Sequence, residues 1–89
     1  VHTHELMHKD APARLASWLC ARQDADVADA NRGVVQLVER KSDIASQLGM
    51  TPETMSRLMR NLSDRGVIEV EGYTVRVLDL KALRRTAGA

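Results

Sequence analysis

The sequence predicts a small α+β domain in which helices pack against an antiparallel β-hairpin. Two helical segments meet at a glycine, the second of them carries an apolar stripe, and two β-rich runs flank a glycine-containing turn. With 89 residues, of which 44% are hydrophobic, the chain can form one domain with one core. We expect that core to be aliphatic, because the chain has no Phe, one Trp and one Tyr.

The first ten residues are mostly polar and contain all three histidines. His4 and His8 would share one face of a helix, but this segment offers too few ligands for a metal site, so solvated surface is favoured. Asp10 and Pro12 are typical of a helix start, because Asp accepts amide hydrogen bonds at an N-cap and Pro is tolerated in the first turn. We therefore predict a helix over about residues 11–23. If the preceding chain is also helical, Pro12 instead marks a kink or a break between two helices.

The segment from Gln23 to Gly33 is polar and closes with residues suited to a turn. The run Val34–Val38 is short and rich in β-branched residues, which favours a strand. A helix is the open alternative there, because periodicity alone does not separate the two in so short an apolar run. Cys20 is the only cysteine, and we interpret it as a small apolar residue on a buried helix face.

A helix-turn-helix is predicted in the middle of the chain. Residues 42–48 have apolar positions at helical spacing and end at Gly49. Thr51 then serves as an N-cap with Pro52 at the first helical position, and Gly66 ends the second helix, predicted over residues 51–65. This helix has its apolar stripe at Met55, Leu58, Met59 and Leu62. A sharp reversal between two helices with apolar anchors is typical of the motif, and we expect Ala45, Met55 and Leu58 to be those anchors.

The last third of the sequence predicts a hairpin and a short helix. The runs 67–70 and 74–77 are separated by Glu71-Gly72-Tyr73, which indicates a β-hairpin. Asp79 is the expected cap of a short helix over residues 81–85. We accordingly divide the chain into residues 1–10, the remaining end of a longer helix; 11–85, the domain; and 86–89, a frayed tail.

The outward face of the second helix has the chemistry of a DNA groove contact. Its predicted exposed residues are Glu53, Thr54, Ser56, Arg57, Arg60 and Asn61. An Arg can donate two hydrogen bonds to guanine, a Glu can accept one from cytosine, and a Ser can serve either. The exposed amides after Thr51 favour phosphate, and we predict Lys41 and Arg60 as further backbone contacts. The plain alternative is an ordinary solvated face, and for Lys41 a solvated lysine explains the sequence equally well.

A family resemblance rests on these residues. The run from Asp43 through Leu58, followed by Leu62 and Gly66-Val67-Ile68, resembles the C-terminal winged helix-turn-helix domain of the Crp/Fnr regulators. These are named for the cyclic-AMP receptor protein and the fumarate-nitrate reduction regulator. The resemblance covers about residues 11–85 and is most specific over 43–68. Its sharpest part is the Glu-Thr-x-Ser-Arg string in the second helix.

The resemblance implies a bacterial, cytoplasmic regulator that binds palindromic double-stranded DNA as a homodimer. It implies base contacts by Glu53, Ser56 and Arg57, on a half-site resembling TTGAT, and backbone contacts by residues matching Lys41, Thr51 and Thr54. RNA polymerase is a candidate partner of the full-length protein. We expect this chain by itself to be a monomer or weak dimer, without cofactor, metal or enzymatic activity.

Three departures from the family pattern bear on the site. Arg40 stands where the family often has a Ser or Thr cap, so we expect Ser42 to cap instead. Glu71 occupies the hairpin tip, where a cationic or neutral residue would favour phosphate contact. The family's effector-binding β-barrel is absent, as is most of its dimerising helix. The chain opens with Val1, which indicates a piece of a longer protein.

Two other functional classes fit the sequence less well. A winged helix used for protein contact, without DNA binding, is the alternative function. An enzyme is disfavoured, because the sequence has no Ser/His/Asp set, metal cluster or phosphate-cradling glycine loop. The near-neutral net charge of +1 means that a nucleic-acid surface requires local placement of cations.

Overall fold

The computed structural model describes the backbone of residues 2–88 and the side chains of residues 11–88. The elements in chain order are α1 (His2–Arg22), β1 (Asp24–Ala25), β2 (Gly33–Gln36), α2 (Lys41–Gln47), α3 (Pro52–Asp64), β3 (Ile68–Glu71), β4 (Thr74–Val77) and α4 (Leu80–Thr86). The strands form one antiparallel sheet in the order β1-β2-β4-β3. The predicted α+β class, with helices beside a small antiparallel hairpin, is confirmed.

The core is aliphatic, as predicted, and lies between the helices and the inner face of the sheet. Its largest fully buried side chains are Leu15, Leu19, Val35, Ile44, Met55, Ile68, Val75, Val77 and Leu83. Burying one such side chain stabilises a fold by about 1.5–3 kcal/mol. Of the predicted anchors, Ala45 and Met55 are buried and Leu58 is half-buried. Cys20 is half-buried and packs against this core, which agrees with its interpretation as a small apolar residue on a buried helix face.

Helix α1 is longer than predicted. The chain is one helix from His2 to Arg22 with Pro12 inside it, so the predicted start at residue 11 and the Asp10 cap are wrong. Inside a helix, Pro12 removes one backbone hydrogen bond and its ring crowds the carbonyl four residues earlier, a cost of about 3 kcal/mol that the rest of α1 offsets. The expectation that His4 and His8 are solvated rather than metal ligands falls on side chains outside the described residues. None of the described helices is long and apolar enough to cross a membrane.

Strand β1 falls in the segment that was predicted as polar turn. Asp24 and Ala25 pair with Val34 and Gly33 at the start of β2. Strand β2 alternates buried and exposed residues, and it runs from residue 33 to 36 rather than from 34 to 38. The strand interpretation of this run is therefore confirmed, and its helical alternative is wrong.

Helix α2 begins without a side-chain cap. Its N-cap is Arg40, whose side chain accepts no amide hydrogen bond, and Ser42 lies inside the helix. The expectation that Ser42 caps α2 is therefore wrong. At the other end the turn forms at Gly49, whose φ of 70° is a left-handed conformation that glycine adopts without steric cost.

Helix α3 follows the sequence prediction closely. The hydroxyl oxygen of Thr51 accepts a hydrogen bond from the amide of Thr54 at 3.1 Å, and Pro52 occupies the first turn. The helix ends before Gly66, which has a φ of 75°. Its apolar stripe is buried at Met55, Met59 and Leu62.

The hairpin and α4 complete the domain. Strands β3 and β4 pair with Glu71 opposite Thr74, which confirms the predicted hairpin. Asp79 caps α4 by accepting from the amide of Ala82 at 3.1 Å. Helix α4 extends one residue beyond each predicted end, and Thr86 is held by a 3.1 Å hydrogen bond from its hydroxyl to the Ala82 carbonyl.

Candidate nucleic-acid interface

The outward face of α3 carries the three residues predicted to contact bases. Glu53, Ser56 and Arg57 are all exposed, and the buried residues of the helix lie on its opposite side. Together with Pro52 and Arg60 they line one shallow surface depression. The fold therefore brings Glu53 and Arg57, one helical turn apart, onto a single accessible face.

The start of α3 offers fewer phosphate-binding amides than the sequence indicated. Pro52 has no N–H, the amide of Thr54 donates to Thr51 Oγ1, and the amide of Met55 donates to the Thr51 carbonyl at 3.0 Å. The amide of Glu53 is thus the one first-turn donor that these bonds leave available. The hydroxyl of Thr51 donates to Thr54 Oγ1 at 3.0 Å, so the Thr54 hydroxyl proton remains free to face an anion.

Lys41 lies close to α3, although it starts a different helix. A groove between α3 and the hairpin has a floor of apolar side chains and a rim of cations and hydroxyls; its lining residues are Lys41, Met55, Ser56, Met59, Arg60, Ser63 and Val70. Lys41 and Arg60 therefore share one groove beside the face that carries Arg57. Sequence reasoning assigned no function to Ser63.

The cations of this surface form no ion pair with any side chain of residues 11–88. Among the described side chains, Arg57 and Arg60 have no carboxylate within 4 Å. The residues that line the groove and the depression include three cations, Lys41, Arg57 and Arg60, and one carboxylate, that of Glu53. The surface is therefore locally basic although the chain has a net charge of only +1.

The hairpin differs from α3 in its charges. Arg76 on β4 lies between two carboxylates, at 3.6 Å from Glu69 and 3.3 Å from Glu71. At the tip, the Tyr73 ring is exposed, and the ammonium of Lys41 is 5.8 Å from its centroid. Sequence reasoning assigned no function to Tyr73, because nothing local indicates its proximity to α2.

Two arginines of α1 hold α2 and the turn after it. The half-buried Arg14 donates from Nε to the Leu48 carbonyl at 2.8 Å. Arg22 stacks on Trp18 at 4.3 Å and pairs with Glu39 at 3.0 Å. Hydrogen bonds to Glu39 from Gln47 and then from Arg22 lower the pKa of that carboxyl. Neither arginine was predicted, since its partner lies far away in sequence.

The half-buried Cys20 lies on the α1–α4 side of the domain and is not part of this surface. Burial raises the pKa of the Cys20 thiol, and the charge of Arg84 lowers it by less. Within residues 11–88, no group of three or more His, Cys, Asp or Glu side chains is arranged to hold a metal ion.

Comparison with sequence families places the chain among regulators. The model of the Crp-like helix-turn-helix domain matches residues 13–86. The transcriptional activator protein FnrA of Stutzerimonas stutzeri is 35% identical over 86 residues, which cover 93% of this chain and 34% of that protein. Electron transport regulator A of Shewanella oneidensis is 34% identical over 89 residues, with 93% and 34% coverage. The chain thus spans about a third of the length of these relatives.

Solved structures with similar folds support the same family assignment. The CO-dependent transcription factor CooA from Carboxydothermus hydrogenoformans superposes with a TM-score of 0.76 at 28% identity, over 92% of this chain and 38% of that one. DNR from Pseudomonas aeruginosa gives a TM-score of 0.73 at 28% identity, with 96% and 37% coverage. These similarities confirm the winged helix-turn-helix fold and the resemblance stated from the sequence.

Proposed function

Since this chain belongs to the Crp/Fnr family of DNA-binding transcription regulators, we propose that it binds double-stranded DNA with α3 in the major groove. The observation that carries the proposal is the single exposed face with Glu53, Ser56 and Arg57. The major groove of B-DNA is wide enough to admit an α-helix, and its base edges present a distinct pattern for each base pair. An exposed helical face with donors and acceptors is suited to recognise that pattern.

Each of the three side chains has a defined role in this proposal. Arg57 donates two hydrogen bonds to O6 and N7 of a guanine, for which we propose the G of a half-site resembling TTGAT. Glu53 accepts from an exocyclic amine of cytosine, and Ser56 donates or accepts at a neighbouring base. Arg57 has no internal carboxylate partner among the described residues, so its guanidinium binds a base without first breaking an ion pair.

Backbone contacts set the position of α3 in the groove. We propose that Lys41 and Arg60 contact phosphates from the rim of their shared groove. The Thr54 hydroxyl donates to a phosphate at the start of α3, beside the Glu53 amide. Thr51, whose own hydroxyl proton is engaged by Thr54 Oγ1, approaches the same phosphate and holds the Thr54 hydroxyl in place. Phosphate contacts fix orientation and register but carry no sequence information, so these four residues contribute affinity rather than base preference.

The full-length protein is proposed to act as a bacterial, cytoplasmic homodimer on a palindromic site, with RNA polymerase as a candidate partner. Each α3 then contacts one half-site. The 89-residue chain alone is expected to bind weakly, because a monomer lacks the second half-site and the gain in effective concentration that accompanies it. The proposal includes no catalytic step, metal or cofactor.

Replacing Arg57 tests the proposed base contact. Arg57→Ala is expected to lower the affinity for a TTGAT-containing duplex by about 1–3 kcal/mol and to relax the preference at one base pair. Fluorescence anisotropy with labelled specific and random duplexes at low salt measures both effects. Arg65→Ala is the matched control, because Arg65 is also exposed on the α3 segment but lies on the side that faces α1 and α4.

The same titrations separate the competing interpretations. An equal loss on specific and random DNA would contradict a base contact by Arg57. Binding that does not weaken as the salt concentration rises would contradict the DNA-binding role itself, since phosphate contacts release counterions. That second result would favour a winged helix used for protein contact.

A further inference from the structure

Tyr73 and Lys41 come together although they belong to different parts of the fold. Lys41 is the first residue of α2, and Tyr73 lies in the turn between β3 and β4. The Lys41 ammonium is 5.8 Å from the centroid of the Tyr73 ring, which is within the range of a cation–π contact. Tyr73 is 56% exposed and Lys41 is also exposed, so both partners remain accessible to a ligand.

The backbone holds the Tyr73 ring in this place. The Tyr73 carbonyl accepts a hydrogen bond from the Leu37 amide at 2.8 Å, just beyond β2. The neighbouring Thr74 hydroxyl donates to Gln36 Oε1 at 3.1 Å. These bonds fasten the hairpin tip to the segment that leads into α2. The approach of the ring to Lys41 is therefore a consequence of the strand order.

The hairpin has no other side chain suited to bind a phosphate. Arg76 is the only basic residue between positions 67 and 77, and it lies between Glu69 and Glu71. The Thr74 hydroxyl donates to Gln36 and is thus already engaged. Within the described hairpin, the phenol O–H of Tyr73 is the side-chain donor that remains.

We infer that Lys41 and Tyr73 act as one phosphate-binding pair, which contacts the DNA backbone between α3 and the hairpin. This inference rests on the proposed function. The Tyr73 hydroxyl donates to a phosphate oxygen, and the ring face orients the Lys41 ammonium towards the same strand. Lys41 also lines the groove that contains Ser56 and Arg60, so the pair extends the α3 surface without a gap.

Three variants separate the two contributions of Tyr73. Tyr73→Phe keeps the ring beneath Lys41 but removes the O–H, and Tyr73→Ala removes both. We expect affinity to fall about 3-fold in the first, from the loss of a net hydrogen bond to the phosphate, and about 10-fold in the second, because Lys41 also loses the ring that orients it. For each variant, the loss in affinity should be the same on specific and on random duplexes, because phosphates carry no sequence information. Lys41→Gln should reduce the slope of log affinity against log salt by about 1, whereas Tyr73→Phe leaves it unchanged.

A double-mutant cycle decides whether the two residues act together. The loss in the Lys41→Gln, Tyr73→Ala double variant should be smaller than the product of the single losses, because each single change already removes part of the shared contact. Lys81→Gln on α4 is the matched control for loss of an exposed lysine. Tyr73→Ala and Lys41→Gln should each lower Tm by no more than about 8 °C, since the cation–π contact that they remove is exposed and therefore weak. Tyr73→Phe and Lys81→Gln keep that contact and should melt with the parent chain.

Failure of this inference is distinguishable from failure of the proposed function. Wild-type affinity of Tyr73→Ala, or independent effects of Lys41→Gln and Tyr73→Ala, would overturn the pair. If Arg57→Ala nevertheless relaxes base preference on the same duplexes, α3 still binds the groove and only the pair is refuted. If the parent chain shows no salt-dependent DNA binding at all, the proposed function and the pair are both refuted.

Discussion

Arg14 is expected to be a positioning residue for the helix-turn-helix. Its Nε–H donates to the Leu48 carbonyl at 2.8 Å, and Leu48 is the C-cap residue of α2, immediately before Gly49. The last carbonyls of a helix have no intrahelical partner, so a side-chain donor that satisfies one of them stabilises the helix end. Arg14→Met removes this donor but retains an unbranched stem of similar length.

The magnitude follows from the charge and burial of the contact. A hydrogen bond from a charged group contributes about 1.5–3 kcal/mol, and Arg14 is half-buried, which limits competition from water. For a domain of this size, each kcal/mol shifts Tm by about 4–8 °C, so Arg14→Met should melt roughly 10 °C below the parent chain. Circular dichroism during heating measures the shift. Below the melting range, DNA affinity should fall equally on specific and random duplexes, because the turn is altered and no base contact is lost.

Arg22 provides a control on the same helix. It pairs with Glu39 at 3.0 Å and stacks on Trp18, but its side chain is more exposed. Exposed ion pairs contribute about 0.2–1 kcal/mol, and an exposed cation–π contact adds a similar amount. Arg22→Met should therefore lower Tm by less than Arg14→Met does. If the two variants melt together, or Arg22→Met melts first, the role assigned to the Leu48 carbonyl bond is wrong.

Two further predictions concern stability. A Cβ added at Gly33 would collide with the Gln23 side-chain oxygen and lie 2.9 Å from the Asp24 carbonyl. Gly33→Ala should therefore cost about 1–3 kcal/mol in urea denaturation. Gln23→Ala in the same chain should restore only part of the loss, because the Asp24 carbonyl belongs to the backbone, and full restoration would contradict that explanation. The pKa of Asp79 is lowered by the backbone amide that it caps and then by the Asn31 side chain. A lowered folded-state pKa means that Asp79 stabilises the fold above its ordinary pKa of about 4, and that this stability is lost as pH falls through the folded-state value. Between pH 6 and pH 2, the Tm of Asp79→Asn should change less with pH than the Tm of the parent chain. The same change of Tm with pH in both chains would exclude this role of Asp79.

The elements predicted correctly are those with local determinants. Helix α3 has its cap at Thr51, its apolar stripe and its end at Gly66 within sixteen consecutive residues. The hairpin has two β-branched runs around Gly72. In these segments the short-range preferences agree with the tertiary packing, so the sequence alone suffices.

The elements that the sequence did not predict depend on distant partners. Strand β1 has only two residues, both exposed, and exists because Asp24 and Ala25 pair with β2. Pro12 is compatible with a helix start and with a helix interior, and the N-terminal half of α1 decides between them. The contact of Tyr73 with Lys41 spans 32 positions and has no local signal. The face of α3 was thus accessible to sequence reasoning, and Lys41 was accessible through the family resemblance, whereas Tyr73 and Val70 beside them were not.

The two arginines of α1 have a joint geometric consequence for α3. Arg14 and Arg22 are separated by two helical turns, or about 12 Å along the axis. Their partners, the Leu48 carbonyl and the Glu39 carboxylate, lie just after and just before α2. One rigid helix is therefore attached at both ends of another, which fixes the direction of α2 as well as its position. Since α2 packs against α3 through the tight turn, we expect any displacement of α1 to move the whole DNA-facing surface as one body, with the relative arrangement of its side chains unchanged.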